Sequence, residues 1–194
     1  IVIEQTQQEK LYYLPVQIDV YTHGKSDRLT YWIGKQRSDT ISIAYETLPD
    51  WINVDPAKLM LWEKNNKQSE TQWLAQARFG ANAIDKAETI AYLSKNWKDS
   101  SAYYDAVLHL LQDSFFGTRK EALNLLKNGD VLLTKELLMQ VETLAEAESD
   151  LPTKAAAIDV LGTTNNSKYI ALFSNGVTDS SYSVAGASLE ALAR

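Results

Sequence analysis

The chain predicts an α+β protein in two domains: a partial antiparallel β-sandwich over residues 1–66, then an all-α, HEAT-like α-α superhelix over residues 67–194. Three observations predict it. From Leu11 to Trp62 apolar and polar residues alternate at period two, the mark of half-buried strands. After Lys67 the apolar period becomes helical. Segments ending at Leu93, Leu126, Leu161 and Leu192 then align at intervals of 33, 35 and 31 residues. Helix pairs repeat on this scale because one pair cannot bury its apolar face alone.

The first strand sets Leu14, Val16, Ile18 and Val20 against Pro15, Gln17, Asp19 and Tyr21. "THGKSDR" supplies turn chemistry, and "LTYWIG" returns with Leu29, Tyr31 and Ile33 on one face, a hairpin pattern. Ile41, Ile43 and Tyr45 suggest a third strand. The two prolines of "LPDWINVDP" exclude a regular helix, and "KLMLWE" is expected to be one more short strand. Four strands make an incomplete sandwich. The missing ones are expected upstream of residue 1, in keeping with a start in apolar "IVI" without methionine.

Ser69 with Gln72 offers a capping box where the helical half begins, and Thr118 with Glu121 offers a second. Pro152 fits a first helical turn behind Asp150, and Gly129, Gly162 and Gly176 fit left-handed helix ends. In the repeats, Ile90, Leu123, Ile158 and Leu189 form one column, and Ala122, Ala157 and Ser188 another. Between the aligned helices lie "YYDAVLHLLQD", "KELLMQVETLAEA" and "KYIALFSNG". The aromatics of "DSFFG" and "DSSYS" are expected to plug corners between helices.

Composition narrows the function classes. The 194 residues are 45% hydrophobic and 23% charged, as in a folded chain, and carry a net charge of −6. That charge gives no footprint for a phosphate backbone, so nucleic acid is not an expected partner. Apolar runs fall short of the roughly 20 residues that span a bilayer, so no membrane is expected either. No compartment is indicated. The absence of cysteine excludes disulfides and thiolate chemistry.

No residue presents itself as catalytic, cofactor-binding or metal-ligating. No HExxH helix, phosphate loop or nucleophile elbow is present. His23 lies in a turn, and His109 lies in a helix with no second histidine one turn on. The acidic run at 145–150 reads as a solvated helix end, and Asp113 and Arg119 read as caps or inter-repeat ladder residues rather than substrate contacts.

Four stretches carry a resemblance: "YYLPVQIDVYTHG", "LPDWINVDP", "NKQSETQWLAQARF" and the pair "DSFFGTRKEAL" and "DSSYSVAGASLEAL". In this order they resemble the C-terminal portion of the aminopeptidase N family of zinc metallopeptidases, the gluzincin aminopeptidases. The resemblance covers nearly all of residues 10–192. It implies that zinc, the HExxH helix and the GAMEN-type motif belong to a catalytic domain absent from this chain, so no catalytic residue transfers to any position here.

The implied role is a non-catalytic C-terminal fragment that forms a wall of the substrate chamber. Its expected partner is the catalytic domain of the same polypeptide, and peptide substrate would touch it at most indirectly. Relatives hold a substrate carboxylate with basic residues of the helical domain, a motif that neither Arg78 nor Arg119 matches. Trp73, Phe79 and Trp97, if exposed, are candidates for contact with the catalytic domain. The alternatives are a helical-repeat protein-interaction scaffold, or the same region of a catalytically dead family member.

Overall fold

The computed structural model describes residues 1–129 and 131–194. Among them the chain is a mixed α+β protein with two compact units, Ile1–Asn82 and Ala83–Arg194.

The first unit holds β1 (Val2–Glu4), β2 (Leu14–Thr22), β3 (Lys25–Ile33), β4 (Ser38–Thr40), β5 (Trp51–Val54) and α1 (Glu70–Phe79). All pairings are antiparallel, in a three-stranded sheet ordered β3-β2-β5 and a two-stranded sheet β1-β4. Thr22 pairs with Lys25, so the hairpin turn is His23–Gly24, with φ of 52° and 76°. Positive φ at both turn residues is what matches a two-residue turn to the strand twist, and glycine takes it without strain.

The alternation in β2 works as read on one face. Val16, Ile18 and Val20 join Ile33 and Ile41 in the core, with Ile3, Leu29 and Tyr31 packed around them. On the other face Asp19 is also buried, because Arg28 stands opposite it on β3 and donates to both carboxylate oxygens at 2.7 and 2.8 Å.

Two expected strands differ. The third strand is β4, three residues long, whose pairing with β1 continues through reciprocal backbone hydrogen bonds of 2.8 and 2.9 Å between Ile41 and Ile1. Ile43 and Tyr45 pack on the core without belonging to a strand. "KLMLWE" is not a strand; β5 lies earlier, inside "LPDWINVDP". Pro49 and Pro56 sit outside the paired residues and so remove no ladder donor. Asp55, at φ 57°, ends β5, and its carboxylate accepts the N–H groups of Leu59 and Met60 at 2.9 and 3.0 Å, turning the next segment out of the sheet.

The Ser69–Gln72 capping box forms as expected at the start of α1. This helix belongs to the first unit. Buried Trp51 donates from Nε1 to Gln68 at 2.9 Å, and Gln68 donates to buried Gln76 at 2.8 Å, tying β5 to α1. The change of period at residue 67 and the division between compact units at 82–83 are therefore different positions.

The second unit holds α2 (Ala83–Asn96), α3 (Ser101–Leu111), α4 (Phe116–Asn128), α5 (Lys135–Ala147), α6 (Leu151–Thr163), a 3₁₀ turn (Ser167–Tyr169) running into α7 (Ile170–Gly176), and α8 (Tyr182–Ala193). Helices α2, α4, α6 and α8 pack in succession, with α3 against α4, α5 against α6 and α7 against α8.

Ile90, Leu123 and Ile158 are buried, as are Ala122, Ala157 and Ser188. Leu189 breaks the first column: it is 60% exposed. Ile90 lines a cleft together with Leu125 of α4, so this column faces the next helix of the series, and among the described residues no helix follows α8.

Asp150 caps α6 with proline in its first turn, as expected. Thr118 and Glu121 form no capping box. Phe115 is the cap residue of α4, which leaves Thr118 inside the first turn with its hydroxyl buried and unpartnered among the described residues. Nor do the three glycines end helices in the left-handed region. Gly129 caps α4 at φ −92°, while Gly162 and Gly176 lie within α6 and α7. Close approach explains the latter two. A Cβ on Gly162 would come within 2.8 Å of Ala191 Cβ in α8, and one on Gly176 would collide with the Ser188 hydroxyl.

Candidate functional site

Three turns in the helical unit share one construction. A carboxylate accepts the backbone N–H two residues on, and that second residue caps the next helix: Asp113 with Phe115 at 2.9 Å, Glu148 with Asp150 at 3.0 Å, and Asp179 with Ser181 at 2.8 Å. The carboxylates are spaced 35 and 31 residues apart, in the register of the repeats. They fix the helix starts, so the neighbouring aromatics are not needed as plugs. Phe115 and Phe116 are partly exposed against each other, and Tyr182 is 96% exposed, contrary to expectation.

Two of these carboxylates also bind a cation from the preceding helix of the series. Lys86 of α2 reaches Asp113 at 3.2 Å, and Arg119 of α4 reaches Glu148 at 2.6 Å. Arg119 also donates to the carbonyls of Asp113 and Ser114 at 2.8 and 3.0 Å, so one guanidinium binds two successive turns. Lys86 and Arg119 stand 33 residues apart, again the repeat interval. The ladder reading of Asp113 and Arg119 is what the geometry displays. The parts that sequence reasoning missed, Lys86 and Glu148, could have been found by carrying the repeat register through the charged positions.

In the run 145–150, read as a solvated helix end, Glu146, Ala147 and Ser149 are exposed, but the Glu148 side chain departs from that reading and is only 3% exposed. Burial pushes its carboxyl up, but hydrogen bonds from the Asp150 N–H and from Arg119, with the charge of Arg119, outweigh burial and hold it below the usual carboxylate range. The charged form is thus the one the fold stabilises. Asp150 accepts from the Thr153 N–H and hydroxyl at 3.0 and 2.6 Å. The whole run serves the α5–α6 connection.

The remaining candidates are dispersed. His23 is exposed in the hairpin turn and His109 exposed on α3. Arg78 is exposed beside the Phe79 ring, 5.5 Å from its centroid. Trp73, Phe79 and Trp97, candidate contacts if exposed, are neither fully exposed nor fully buried. All three are half-buried, with Phe79 stacked on Tyr21 and Trp97 edge-on to Tyr103 and Tyr104.

Among the described residues no three His, Asp or Glu side chains gather as metal ligands, and no helix is long and apolar enough to cross a membrane. Clefts occur in both units among the described residues. One, of about 360 Å³, lies in the first unit between Val20, Ile41, Ile43, Tyr45 and Ile52. The other, of about 440 Å³, lies between α2 and α4 and is lined by Ile90, Ser94, Glu121, Asn124 and Leu125. In the second cleft the Ser94 hydroxyl donates to the Ala91 carbonyl at 3.0 Å. Comparison of the chain with protein-family models, with curated proteins and with solved structures finds no match.

Proposed function

We propose that the chain is the non-catalytic C-terminal part of a zinc-dependent aminopeptidase, a wall of the substrate chamber that supports a catalytic domain carried elsewhere in the polypeptide. The two sheets are then the partial β-sandwich, and the helix pairs the HEAT-like superhelix. The observation that carries the reading is the order of parts in one chain. A sheet unit with "YYLPVQIDVYTHG" at its centre is followed by the Ser69-capped helix, then by helix pairs whose starts repeat one acid-led turn. The core cluster, drawing Ile3 from one sheet and Val16, Ile18 and Ile33 from the other, supports the sandwich part.

On this reading the charged ladder is structural and holds the wall in shape, while zinc and the reacting groups are supplied by the catalytic domain. The test compares hydrolysis of amino-acid arylamides by residues 1–194 and by the full-length polypeptide, each with zinc and with a chelator. The full-length polypeptide is expected to hydrolyse them, to lose activity on chelation, and to leave the isolated chain inactive. Turnover by the isolated chain, or none by the zinc-loaded full-length polypeptide, would refute the proposal.

A further inference from the structure

The sequence holds two Asn-Gly pairs, Asn128–Gly129 where α4 ends and Asn175–Gly176 where α7 ends. Glycine after asparagine opens the side-chain amide to attack by the next backbone nitrogen, because no Cβ shields that nitrogen. Both asparagines are exposed, so access to water does not separate them. Their backbones do. Asn128 is the last residue of α4, and Gly129 has left the helix, exposed and extended at φ −92° and ψ 158°. A hydrogen bond of 2.9 Å from the Gly129 N–H to the Leu125 carbonyl holds the peptide between them. That bond lies in a terminal turn, where helices open most readily. Gly176, by contrast, is helical, and the N–H groups of Val177, Thr178 and Asp179 after it donate back to Phe173, Asn175 and Gly176 at 3.1, 3.3 and 3.0 Å. Against it stands α8: a Cβ on Gly176 would collide with the Ser188 hydroxyl, so the glycine has no room to swing on that side.

We propose that Asn128 is a site of spontaneous modification in the folded chain, converting through a succinimide to aspartate and isoaspartate, whereas Asn175 is protected by its seat against α8. Ring closure needs the Gly129 nitrogen beside Cγ of Asn128, and the helical backbone of residue 128 holds the two apart. Rotation about ψ of Asn128, with loss of the bond to Leu125, brings them together. The Gly129 nitrogen gives its proton to solvent base and forms the new bond to Cγ. The bond from Cγ to the side-chain nitrogen breaks, and that nitrogen takes up a proton and leaves as ammonia. Water then adds to one of the two ring carbonyls and breaks its bond to the ring nitrogen, which regains a proton. Opening at the side-chain carbonyl gives aspartate; opening at the main-chain carbonyl gives isoaspartate. Water is the only co-reactant. Either product puts a carboxylate at the end of α4, where the helix dipole disfavours negative charge, and in the cleft that Asn128 shares with Glu121.

This chemistry does not depend on the proposed function, and residues 1–194 without any substitution suffice to test it. The chain is aged at mildly alkaline pH, folded in one sample and in denaturant in another, then cut with trypsin. Trypsin places Asn128 on peptide 128–135 and Asn175 on peptide 169–194. Mass spectrometry reads the exchange of NH2 for OH in each peptide against a sample that was not aged, and fragmentation distinguishes aspartate from isoaspartate. In denaturant the two pairs should convert at similar rates, since their local sequences offer the same attack. In the folded chain Asn128 should convert faster than Asn175 by about tenfold or more. Equal rates at the two sites in the folded chain would overturn the proposal. So would an Asn128 that stays intact in the folded chain over a time that converts it in denaturant.

Discussion

The two compact units hold themselves together in different ways. In the first, the elements are few and the contacts that order them are individual: a core cluster assembled from strands far apart in sequence, the pair of buried Asp19 with half-exposed Arg28, and a side-chain relay from Trp51 through Gln68 to Gln76. In the second, a single arrangement recurs: an acid-led turn starts a helix, and a cation from the preceding helix of the series binds the same acid. The first unit therefore concentrates its stability in irreplaceable residues, whereas the second distributes it over equivalent ones.

The largest expected loss follows from breaking the concentrated side. Trp51→Ala removes a side chain that is fully buried and hydrogen-bonded, and should destabilise the first unit by about 3–5 kcal/mol, read by chemical denaturation. Leu161→Ala in α6 should cost about 2–5 kcal/mol, while Leu189→Ala, at the exposed counterpart of buried Ile158, should stay within about 0.5 kcal/mol in residues 1–194. If the two leucine variants lost equal stability, the distinction between covered and open repeats would fail.

The two ion pairs sharpen the comparison next. Arg119→Met strands Glu148 without its partner, and removing one member of a mostly buried pair costs about 3 kcal/mol. Arg28 is 53% exposed, so Arg28→Met should destabilise by less, although it leaves Asp19 buried. Gly162→Ala, by wedging a methyl between α6 and α8, should cost about 1–3 kcal/mol.

The smallest effect is a pH dependence. The Glu148 carboxyl is held below its ordinary value in the folded chain, so its contribution is fully present above the ordinary carboxylate range and is lost as pH falls through the lowered folded value. Glu148→Gln should flatten the acid limb of stability against pH. An unchanged acid limb would show that other carboxylates carry it.

Much of this was legible in the residues themselves. Period two marked the core face of β2, Ser69–Gln72 and Asp150–Pro152 marked two helix starts, and the aligned segments marked α2, α4, α6 and α8. What escaped depended on partners distant in sequence. "WINV" pairs because β2 lies beside it, whereas the equally apolar "KLMLWE" finds no edge. Thr118 has the chemistry of a cap, but Asp113 has already started the helix before it. The glycines of α6 and α7 look like helix ends until the helix that crosses them is known. Of the candidate site, single charges were visible and their pairing was not, because a salt bridge between repeats exists only in the stacked helices.

The contacts at Gly162 and Gly176 have a mechanical consequence. There α8 meets Gly162 of α6 and Gly176 of α7, each contact leaving less room than one methyl group. A joint between side chains can absorb a push by changing rotamers, but backbone pressed against a short side chain has no such compliance, and close-packed interiors transmit strain. A load applied to the outer face of α8 should therefore move α6 and α7 with it as one stiff body.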